Sequence, residues 1–528
     1  MRENCYQIAG FKLRLVHHSL QSHLLMRPSR SSPLSILLVP FLAWSIVPSL
    51  ASESFTFHHE NVLGTSLDLT IAAADKTQAA AAETAVLAEV ERLRKILSSY
   101  DPASELGRLN VATSPLVCST EMLDVLGSYD LWQSKSRGAF NGHVGELIGL
   151  WSKAEKSAAV PAPAEIKTVV TSLASPGWKI DPASGSVTRL SPPQSLNLNS
   201  IGKGYIVTKA TVAARKSVPG LTGLLVNIGG DIFASGRPSE GSTWEIGVSD
   251  PKHSADNAAP LTKVRLVDRA ISTSAAYERG YTIAGHRYSH ILDPRTGIPA
   301  EGVASATVIA ANNASANAMA TTLCVLKPEE GLELVRSTPG AECLIIAADG
   351  RQLRSPGFSA LEGAAPTSPA ASSGPNDWPS NFQVAIAIDL NAQAKAGRKM
   401  KRPFVAVWVE DSTGKRVRTV AVWGREKKYL RDLRAWWKLA QTQPEWAATV
   451  TRATRNAGQH RIEWDGKDDQ GQPLPMGTYT LTIEAAREHG TYAIQHGPII
   501  CGKTAATGTI PAGTEFGETK LTYGPAGQ

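Results

Sequence analysis

The stretch NLNSIGKGY, residues 197–205, decides how the first half of the chain folds. A polar cluster and a Gly-Lys-Gly triplet stand where a strand gives way to a helix. Free backbone N–H groups at a helix start, together with the Lys203 ammonium, suit a phosphate. The triplet lacks the spacing of a Walker loop, however, and lone triplets of this kind are usually turns. Both interpretations stay open, and the strand-to-helix transition predicts a mixed fold around it.

Strand-like and helix-like segments alternate on both sides of this stretch, from residue 54 to residue 358. A long helix is predicted over Ala79–Leu97, because its apolar residues recur with helical spacing. They form one stripe, Val86, Val90, Leu93 and Leu97. The other elements predicted are strands at Phe55–His58, Ser66–Ile71, Gly220–Ile228 and Ala304–Ala310 and a helix at Ser315–Leu326. The mixture predicts an α+β or α/β domain over residues 54–358.

A different pattern follows a Pro/Ala/Ser-rich segment, residues 359–380, which predicts a linker. Beyond it, period-two alternation predicts half-buried strands separated by turn-rich sequence. These strands are Phe382–Leu390, Phe404–Glu410, His460–Trp464 and Thr478–Ala485. Residues 381–510 are therefore predicted to form an all-β, immunoglobulin-like sandwich.

The first 51 residues predict a secretory signal peptide. Basic residues precede the apolar run Leu34–Val47, and the small-x-small site Ser49-Leu-Ala51 follows it. A start at Met26 gives a signal of ordinary length. Cleavage after Ala51 predicts an exported, periplasmic protein. An uncleaved segment would instead attach the chain to the inner membrane.

Composition narrows the class of function. The 528-residue chain is 42% apolar and 19% charged, which is typical of globular proteins. Residues 54–377 carry 28 Lys and Arg against 31 Asp and Glu, without a basic patch, which argues against nucleic-acid binding. Residues 378–528 carry 21 against 14, an excess that suits a solvated surface or an acidic partner. The five cysteines have no metal-ligand spacing, and a bridge such as Cys324–Cys343 stays open.

Three further segments carry polar residues or glycines that a plain core does not need. NIGGD, residues 227–231, ends a strand in a turn that allows close backbone approach. His290 precedes a DPRTG turn and suits a proton carrier or a flavin contact. Asn317 and Thr321 lie four apart on a helix, so their oxygens can meet one hard cation. Each segment also has a plain structural interpretation: a tight turn, a structural histidine and a solvated face.

In this order, the segments resemble the ApbE-type FAD:protein FMN transferases from Val62 to Ala348. Further matching motifs are LGT (63–65), SSY (98–100), SEL (104–106), GAFN (138–141), LW (150–151) and WEIGVSDP (244–251). The resemblance implies a T-fold-like α+β domain. It also implies an enzyme that cleaves the FAD pyrophosphate, attaches FMN by a phosphoester to Thr or Ser of a partner protein, and releases AMP. The later segment resembles a small β-rich domain of unknown function that accompanies some such transferases.

The resemblance also assigns residues. The residues expected to contact FAD are Leu63, Tyr100, Ala139, Phe140, Asn141, Asn197, Lys203 and Ile291. Magnesium is expected at the backbone carbonyl of Ser200 and the side chains of Asn317 and Thr321. Lys203, which would neutralise phosphate charge, and His290 are the expected catalytic residues. The expected partners are FAD, an acceptor protein with a Thr/Ser flavinylation motif, and an envelope partner for the second domain.

Four departures from the family pattern bear on activity. Asn141, Asn197 and Asn317 stand where the family commonly has Asp, and the family's TSGxY turn is TSAAY at residues 273–277. The amide of Asn317 keeps an oxygen ligand but loses a charge, which lowers magnesium affinity. If Asn197 replaces a proton acceptor, general-base help is lost as well. These departures leave open a flavin-binding protein with lost or altered transfer. A separate alternative makes the C-terminal sandwich the functional part, as an envelope interaction module.

Overall fold

The part of the chain that can be described excludes its N-terminal segment. A computed structural model describes residues 52–190, 196–252, 255–276, 279–363, 378–379, 381–392, 401–424, 427–442, 451–488 and 490–526. The predicted signal peptide, Tyr277 and most of the predicted linker lie outside these ranges. Within them, no helix has both the length and the apolar character needed to cross a membrane.

Strands and helices alternate through the first domain, residues 52–363. The strands are β1 (Glu53–Val62), β2 (Thr65–Ala73), β3 (Leu116–Val117), β4 (Trp178–Asp181), β5 (Ser186–Arg189), β6 (Gly223–Ile228), β7 (Asp231–Gly236), β8 (Trp244–Val248), β9 (Thr262–Leu266), β10 (Arg269–Ala275), β11 (Gly280–Ile283), β12 (His286–Ser289), β13 (Val303–Ala310), β14 (Glu342–Ala347) and β15 (Gln352–Arg354). The helices are α1 (Lys76–Leu97), α2 (Glu105–Val111), α3 (Thr120–Lys135), α4 (Gly145–Ser157), α5 (Pro163–Leu173), α6 (Asn199–Ser217), α7 (Asn313–Val325), α8 (Pro328–Arg336) and α9 (Phe358–Leu361).

Eight strands form one antiparallel sheet in the order β1-β2-β6-β7-β10-β13-β14-β15. Helices α1, α6 and α7 pack on one face of this sheet and enclose the main core. The β8–β9 pair and α9 cover part of the other face. The predicted α+β class is confirmed. The layering places α6 and α7 side by side above β7 and β10.

The predicted helix and strands of this domain recur with small changes at their ends. Helix α1 buries the predicted apolar stripe, and the Asp75 carboxylate caps its start by accepting a hydrogen bond from the Gln78 N–H, 2.8 Å away. The predicted helix at 315–326 is α7, and the predicted strand at 220–228 is β6. Sequence pattern and composition therefore located α1, α7 and β6, but not β7 and β10, which carry Asp231 and Ser274.

The second domain, residues 378–526, is a β sandwich, as predicted. Its strands are β16 (Phe382–Leu390), β17 (Phe404–Glu410), β18 (Arg416–Trp423), β19 (Thr451–Arg452), β20 (Gly458–Trp464), β21 (Gly477–Ala486), β22 (Tyr492–Cys501), β23 (Ala506–Ile510) and β24 (Thr519–Pro525), and its helices are α10 (Lys427–Leu430) and α11 (Arg434–Ala440). The sheets have the orders β20-β16-β24-β23 and β19-β18-β17-β21-β22. Apolar residues from both sheets form the core between them.

One detail of the second domain differs from the prediction. Strand β17 is not half-buried, because α10 and α11 cover its outer face and bury Phe404 and Trp408. The buried carboxylate of Glu484 holds α11 in place by accepting hydrogen bonds from the N–H groups of Ala435 and Trp436, each 2.8 Å long.

The domain ends also differ from the predicted ones. The sandwich continues past residue 510, because β24 lies between β16 and β23. Trp378, placed in the linker by prediction, packs in the sandwich core 4.8 Å from the ring of Trp464. The first domain runs past residue 358, because Glu362 forms a β-bridge with Val264. Turn-rich and Pro-rich sequence therefore concealed the last elements of both domains.

The cysteines within the described residues are unbonded. Cys118, Cys324, Cys343 and Cys501 are all free and buried, so the Cys324–Cys343 bridge does not form. Burial raises the pKa of each of these four thiols to about 12. These side chains therefore act as small apolar residues.

Candidate active site

A buried carboxylate lies between α6 and α7, the two helices that carry the residues expected to bind magnesium. Asp231, 4% exposed at the start of β7, pairs through Oδ2 with the Lys203 ammonium of α6 at 2.7 Å. Its Oδ1 accepts a hydrogen bond from Nδ2 of Asn317 on α7 at 2.9 Å. These three residues are called the Asp231 cluster below. Burial makes this pairing necessary, since an unpaired buried carboxylate is costly.

The NIGGD turn aims Asp231 at the helices. Gly229 and Gly230 have φ angles of +57° and +93°, values that glycine adopts without strain. The Asn227 side chain accepts the Gly230 N–H at 2.9 Å. A Cβ on Gly229 would lie 2.6 Å from Cγ2 of Thr65. Gly229 therefore makes the close approach that the sequence suggested, against the β1–β2 turn, whereas Gly230 has open space around it and serves the turn through its positive φ.

The Gly-Lys-Gly triplet lies inside α6 and not ahead of it. A Cβ on Gly204 would lie 2.7 Å from the backbone oxygen of Asn313, so this glycine lets α6 pack closely on α7. At the start of α6, the Asn197 side chain accepts the Asn199 N–H at 3.2 Å. Gly204 thus has a packing role, and it brings Lys203 to the side of α7.

The other expected magnesium ligands lie one helical turn from the cluster. Thr321 follows Asn317 by one turn of α7, and its Oγ1 is 3.4 Å from Oγ of Ser274. Ser200 precedes Lys203 by one turn in the first turn of α6. Ser274 belongs to the altered TSAAY segment, so this segment borders the cation residues.

The donor chemistry of this region fits a magnesium ion that shares its ligands with a substrate. The described residues hold no group of three His, Cys, Asp or Glu side chains able to bind a metal. Oxygens are present: the Asp231 carboxylate, the Asn317 amide and the Thr321 hydroxyl. Because Nδ2 of Asn317 faces Asp231, its Oδ1 is turned away from that carboxylate. Mg²⁺ commonly takes few protein ligands and completes its shell with water and phosphate oxygens.

A second group joins two of the expected flavin contacts, Phe140 and Asn197. The Tyr129 ring stacks on Phe140 with centroids 5.1 Å apart. Its hydroxyl donates to the Asn197 carbonyl at 3.2 Å. The Asn197 N–H donates to the Gly142 carbonyl at 2.9 Å, so residues 139–142 lie against the segment that leads into α6.

The amide of Asn141 has a structural task of its own. Its Nδ2 donates to the Leu173 carbonyl at 3.2 Å, and its Oδ1 accepts the His143 N–H at 2.9 Å. A carboxylate could not donate to Leu173. The amide of Asn141 therefore fits its local hydrogen-bond partners, and Ala139, Phe140 and Asn141 are all buried.

His290 is held so that one ring nitrogen is available. Its Nδ1 lies 3.0 Å from the Arg279 carbonyl, which requires the proton on Nδ1 and leaves a lone pair on Nε2. Burial lowers the pKa of His290 below its usual 6.5, the Arg279 and Arg287 charges lower it further, and the Arg279 carbonyl opposes them. The imidazole is therefore neutral at pH 7.

Two contacts tie the loop after His290 to the GAFN segment and to helix α4. Trp151 Nε1 donates to the Gly297 carbonyl at 2.9 Å. The aliphatic part of Arg295 lies against Gly138, where an added Cβ would be 3.6 Å from Cγ. Ile291, next to His290, is 6% exposed. The structure thus assembles two flavin-contact motifs that lie about 150 residues apart in the chain.

The remaining two expected flavin contacts lie in turns. Leu63 forms the β1–β2 turn with a φ of +49°. Tyr100 is 87% exposed in the loop after α1, where its N–H donates to Oγ of Ser98 at 3.2 Å. Among the described residues, neither contacts the Asp231 cluster directly. An aromatic ring this exposed is available to stack on a ligand.

Asp231 is the residue that motif reasoning passed over. The motif singles out the two glycines of NIGGD and gives no role to the carboxylate that follows them. The sequence signal for Asp231 is its position directly after two glycines that allow close backbone approach. An acid at such a position places its charge next to the segment that the turn contacts. Only the fold shows that its partners are Lys203 and Asn317, from two other elements.

Comparisons with known proteins point to the same family as the sequence motifs. Residues 63–345 match the ApbE family, and residues 385–518 match a family described as a predicted periplasmic protein (DUF2271). A curated FAD:protein FMN transferase of Treponema pallidum is 31% identical over 286 residues, 51% of this chain and 78% of that protein. The FAD:protein FMN transferase of Escherichia coli is 29% identical over 282 residues, which are 52% of this chain and 79% of that protein. The crystal structure of an ApbE protein from Thermotoga maritima is 28% identical, with a TM-score of 0.53 over 59% of this chain and 100% of that one.

The first domain is thus an α+β enzyme domain in which a buried carboxylate pairs with a partly exposed lysine ammonium between two helices. The chain belongs to the ApbE family. The curated relatives are transferases, so the expected family and enzyme class are confirmed. The β-rich second domain is an additional module, with its own family.

Proposed function

We propose that this chain is a periplasmic FAD:protein FMN transferase. It attaches FMN by a phosphoester to Thr or Ser of an exported or membrane acceptor protein, releases AMP and requires Mg²⁺. The Asp231 cluster carries this proposal, because it sets a cation and oxygen ligands together in a family whose curated relatives are named for this reaction. The predicted signal peptide and the description of the second family support the location.

The proposed chemistry is a phosphoryl transfer. The acceptor hydroxyl oxygen forms a bond to the phosphorus of the FMN half of FAD, and the bond from that phosphorus to the bridging oxygen breaks. The bridging oxygen leaves with AMP, and the hydroxyl proton passes to a base. Such a reaction depends on in-line positioning and on stabilising charge, with little covalent work by the enzyme.

The proposal gives each part of the site a task. The Lys203 ammonium neutralises phosphate charge, and neutral His290 accepts the hydroxyl proton at Nε2. Mg²⁺, when bound, would neutralise the pyrophosphate, held by the Ser200 carbonyl and the Asn317 and Thr321 oxygens with Asp231 beside them. The flavin contacts proposed are Leu63, Tyr100, Ala139, Phe140, Asn141, Asn197 and Ile291.

A direct test uses purified residues 52–528 with FAD, MgCl₂ and several acceptor proteins that carry a Thr/Ser flavinylation motif. In-gel flavin fluorescence and intact mass should show one FMN group on the acceptor, together with free AMP, and EDTA should prevent both. Absence of covalent flavin on every acceptor, with FAD bound and intact, would contradict the proposal.

The amide at position 317 supports the alternative of a flavin-binding protein without turnover. Asn317→Asp separates the two functions, because it places a second carboxylate beside Asp231 and strengthens cation binding. If the alternative holds, the parent binds FAD without transfer and the variant gains transfer. Transfer by the parent itself rejects the alternative.

A further inference from the structure

The second domain contacts the first at the turn that carries the expected flavin contact Leu63. Oε1 of Glu60 on β1 accepts the Thr454 N–H at 3.0 Å, and Oε2 accepts the Thr454 hydroxyl at 2.8 Å. The Arg402 guanidinium lies 3.8 Å from the same carboxylate and donates to the Gly64 carbonyl at 3.2 Å. Two residues of the sandwich therefore hold both sides of this turn.

The turn needs outside support. Asn61 and Leu63 have φ angles of +61° and +49°, in a region that non-glycine residues seldom adopt, and Gly64 follows at +80°. The β1–β2 register shifts between His59 and Val62. Such backbone persists when the surrounding structure determines it. The contacts from Arg402 and Thr454 add to the packing of Val62 and Leu63 on the first-domain core.

The turn at residues 63–65 also contacts the NIGGD segment. Thr65 packs against Gly229, and the Gly229 N–H donates to the Ser66 carbonyl at 3.2 Å. Asp231 follows two residues later and binds Lys203 and Asn317. A continuous set of contacts thus leads from Arg402 through the turn to the Asp231 cluster.

Glu60 is itself held in place by the first domain. His58 lies between two carboxylates: its Nε2 is 2.8 Å from Glu60 Oε1, and its Nδ1 is 2.7 Å from Asp68 Oδ1. The side chains of His58 and Glu60 are 9% and 11% exposed. The carboxylate that receives Thr454 and Arg402 is therefore preorganised and largely shielded from water.

A second contact fixes the orientation of the sandwich. Asn257, in the loop between β8 and β9, donates to the Glu463 and Val420 carbonyls at 2.6 and 3.2 Å and accepts the Glu463 N–H at 2.9 Å. Beside it, the Arg455 guanidinium donates to Asp256 at 2.5 Å. Two separate attachments restrain rotation that a single one would permit.

We infer that the sandwich is a positioning element of the flavin site, with Arg402 and Thr454 holding the 63–65 turn in the conformation that FAD contacts. This inference rests on the proposed function, because it assumes that the turn contacts FAD. The second domain thereby acts on the affinity of the first domain for FAD. Arg402 and Thr454 are positioning residues, since they act through the turn.

The test measures FAD affinity and turn dynamics in the full chain. Arg402→Ala and Thr454→Val should each weaken FAD binding in equilibrium dialysis by about fivefold to tenfold, the loss of a charge-assisted or buried hydrogen bond. KM for FAD should rise by the same factor, with kcat within about twofold. Hydrogen exchange at residues 60–66 should quicken, and Arg402→Lys should restore part of the affinity. Arg418→Ala is the matched control, because Arg418 donates to the Asp468 carbonyl within the sandwich.

The outcomes are distinct. Weaker FAD binding and faster exchange in both variants, with the control unchanged, support the inference. Equal FAD affinity in parent and variants overturns it while leaving the proposed function intact. A parent that binds no FAD overturns both, and a parent that binds FAD without transferring FMN rejects only the proposed transfer.

Discussion

A buried carboxylate must be paired, and Asp231 is paired twice, by the Lys203 ammonium and by the Asn317 amide. The resemblance implies an acid at position 317, where this chain has an amide. Asp231 places a carboxylate within hydrogen-bond distance of that amide. The Asp231 carboxylate leaves the site with a negative charge that can attract a cation. The same carboxylate fixes the orientation of the Asn317 amide.

Asp231→Asn should slow transfer by about 10-fold to 100-fold, the usual cost of losing a partner that orients ligands. Lys203 loses its counter-charge, and Asn317 is no longer held by a carboxylate. Initial rates of acceptor labelling, measured at saturating FAD, check this. Asp349→Asn is the control, because its carboxylate is 56% exposed. A rate within twofold of the parent would remove Asp231 from the site.

His290 gives a prediction for pH. Because burial lowers the pKa of His290, its base form persists below pH 6.5, and activity should be lost only as pH falls through that lowered pKa. The profile of kcat/KM from about pH 4.5 to about pH 8 should show an acidic limb below 6.5. His290→Gln should lower kcat and remove the limb. A limb above pH 6.5 in the parent would assign the proton transfer to another group.

At the scale of elements, the β1–β2 hairpin contains a buried charge network. Burial disfavours the charged form of His58, but hydrogen bonds to Asp68 and Glu60 outweigh it and raise the pKa of His58 to about 9. A raised pKa adds stability that is complete below pH 6.5 and is lost as pH rises through about 9. The hairpin should therefore loosen in alkali.

The thermal midpoint of the parent should fall as pH rises from about 7 to about 10, and His58→Gln should flatten that slope. Differential scanning calorimetry across the range measures both. His59→Gln is the matched control, because His59 is the next residue of the same strand and pairs with Glu83. Parallel slopes in parent and His58→Gln would show that His58 carries no linked proton there.

The sequence predicted elements better than it predicted their surroundings. Alternation located β17, but not its burial on both faces, because the helices that cover it come from a segment rich in Lys, Arg and Trp. The same limit applies to the site. Motifs identified Lys203 and Asn317, but not Asp231, which joins them. Asp231 lies 28 residues from Lys203 and 86 from Asn317, too far for any local spacing rule to connect them. The partners of a buried charge can be identified only from the folded structure.

At the scale of the whole molecule, both domains belong to one compact unit, residues 50–528. Asn257 is the clearest link, because one side chain makes three hydrogen bonds to backbone groups of the second domain. Docked domains stabilise each other and unfold together when their interface is strong. The link at Asn257 should therefore govern the cooperativity of unfolding.

Asn257→Ala should weaken the interface by about 1–3 kcal/mol, the cost of leaving buried backbone groups unpaired, and should split one calorimetric transition into two. The matched control is Asn391→Ala, since Asn391 bridges the Gly513 and Thr514 carbonyls at 2.9 and 3.1 Å within the sandwich. The control should lower the midpoint without separating the transitions. If both variants keep one transition, with equal calorimetric and van't Hoff enthalpies, the Asn257 contact does not couple the domains.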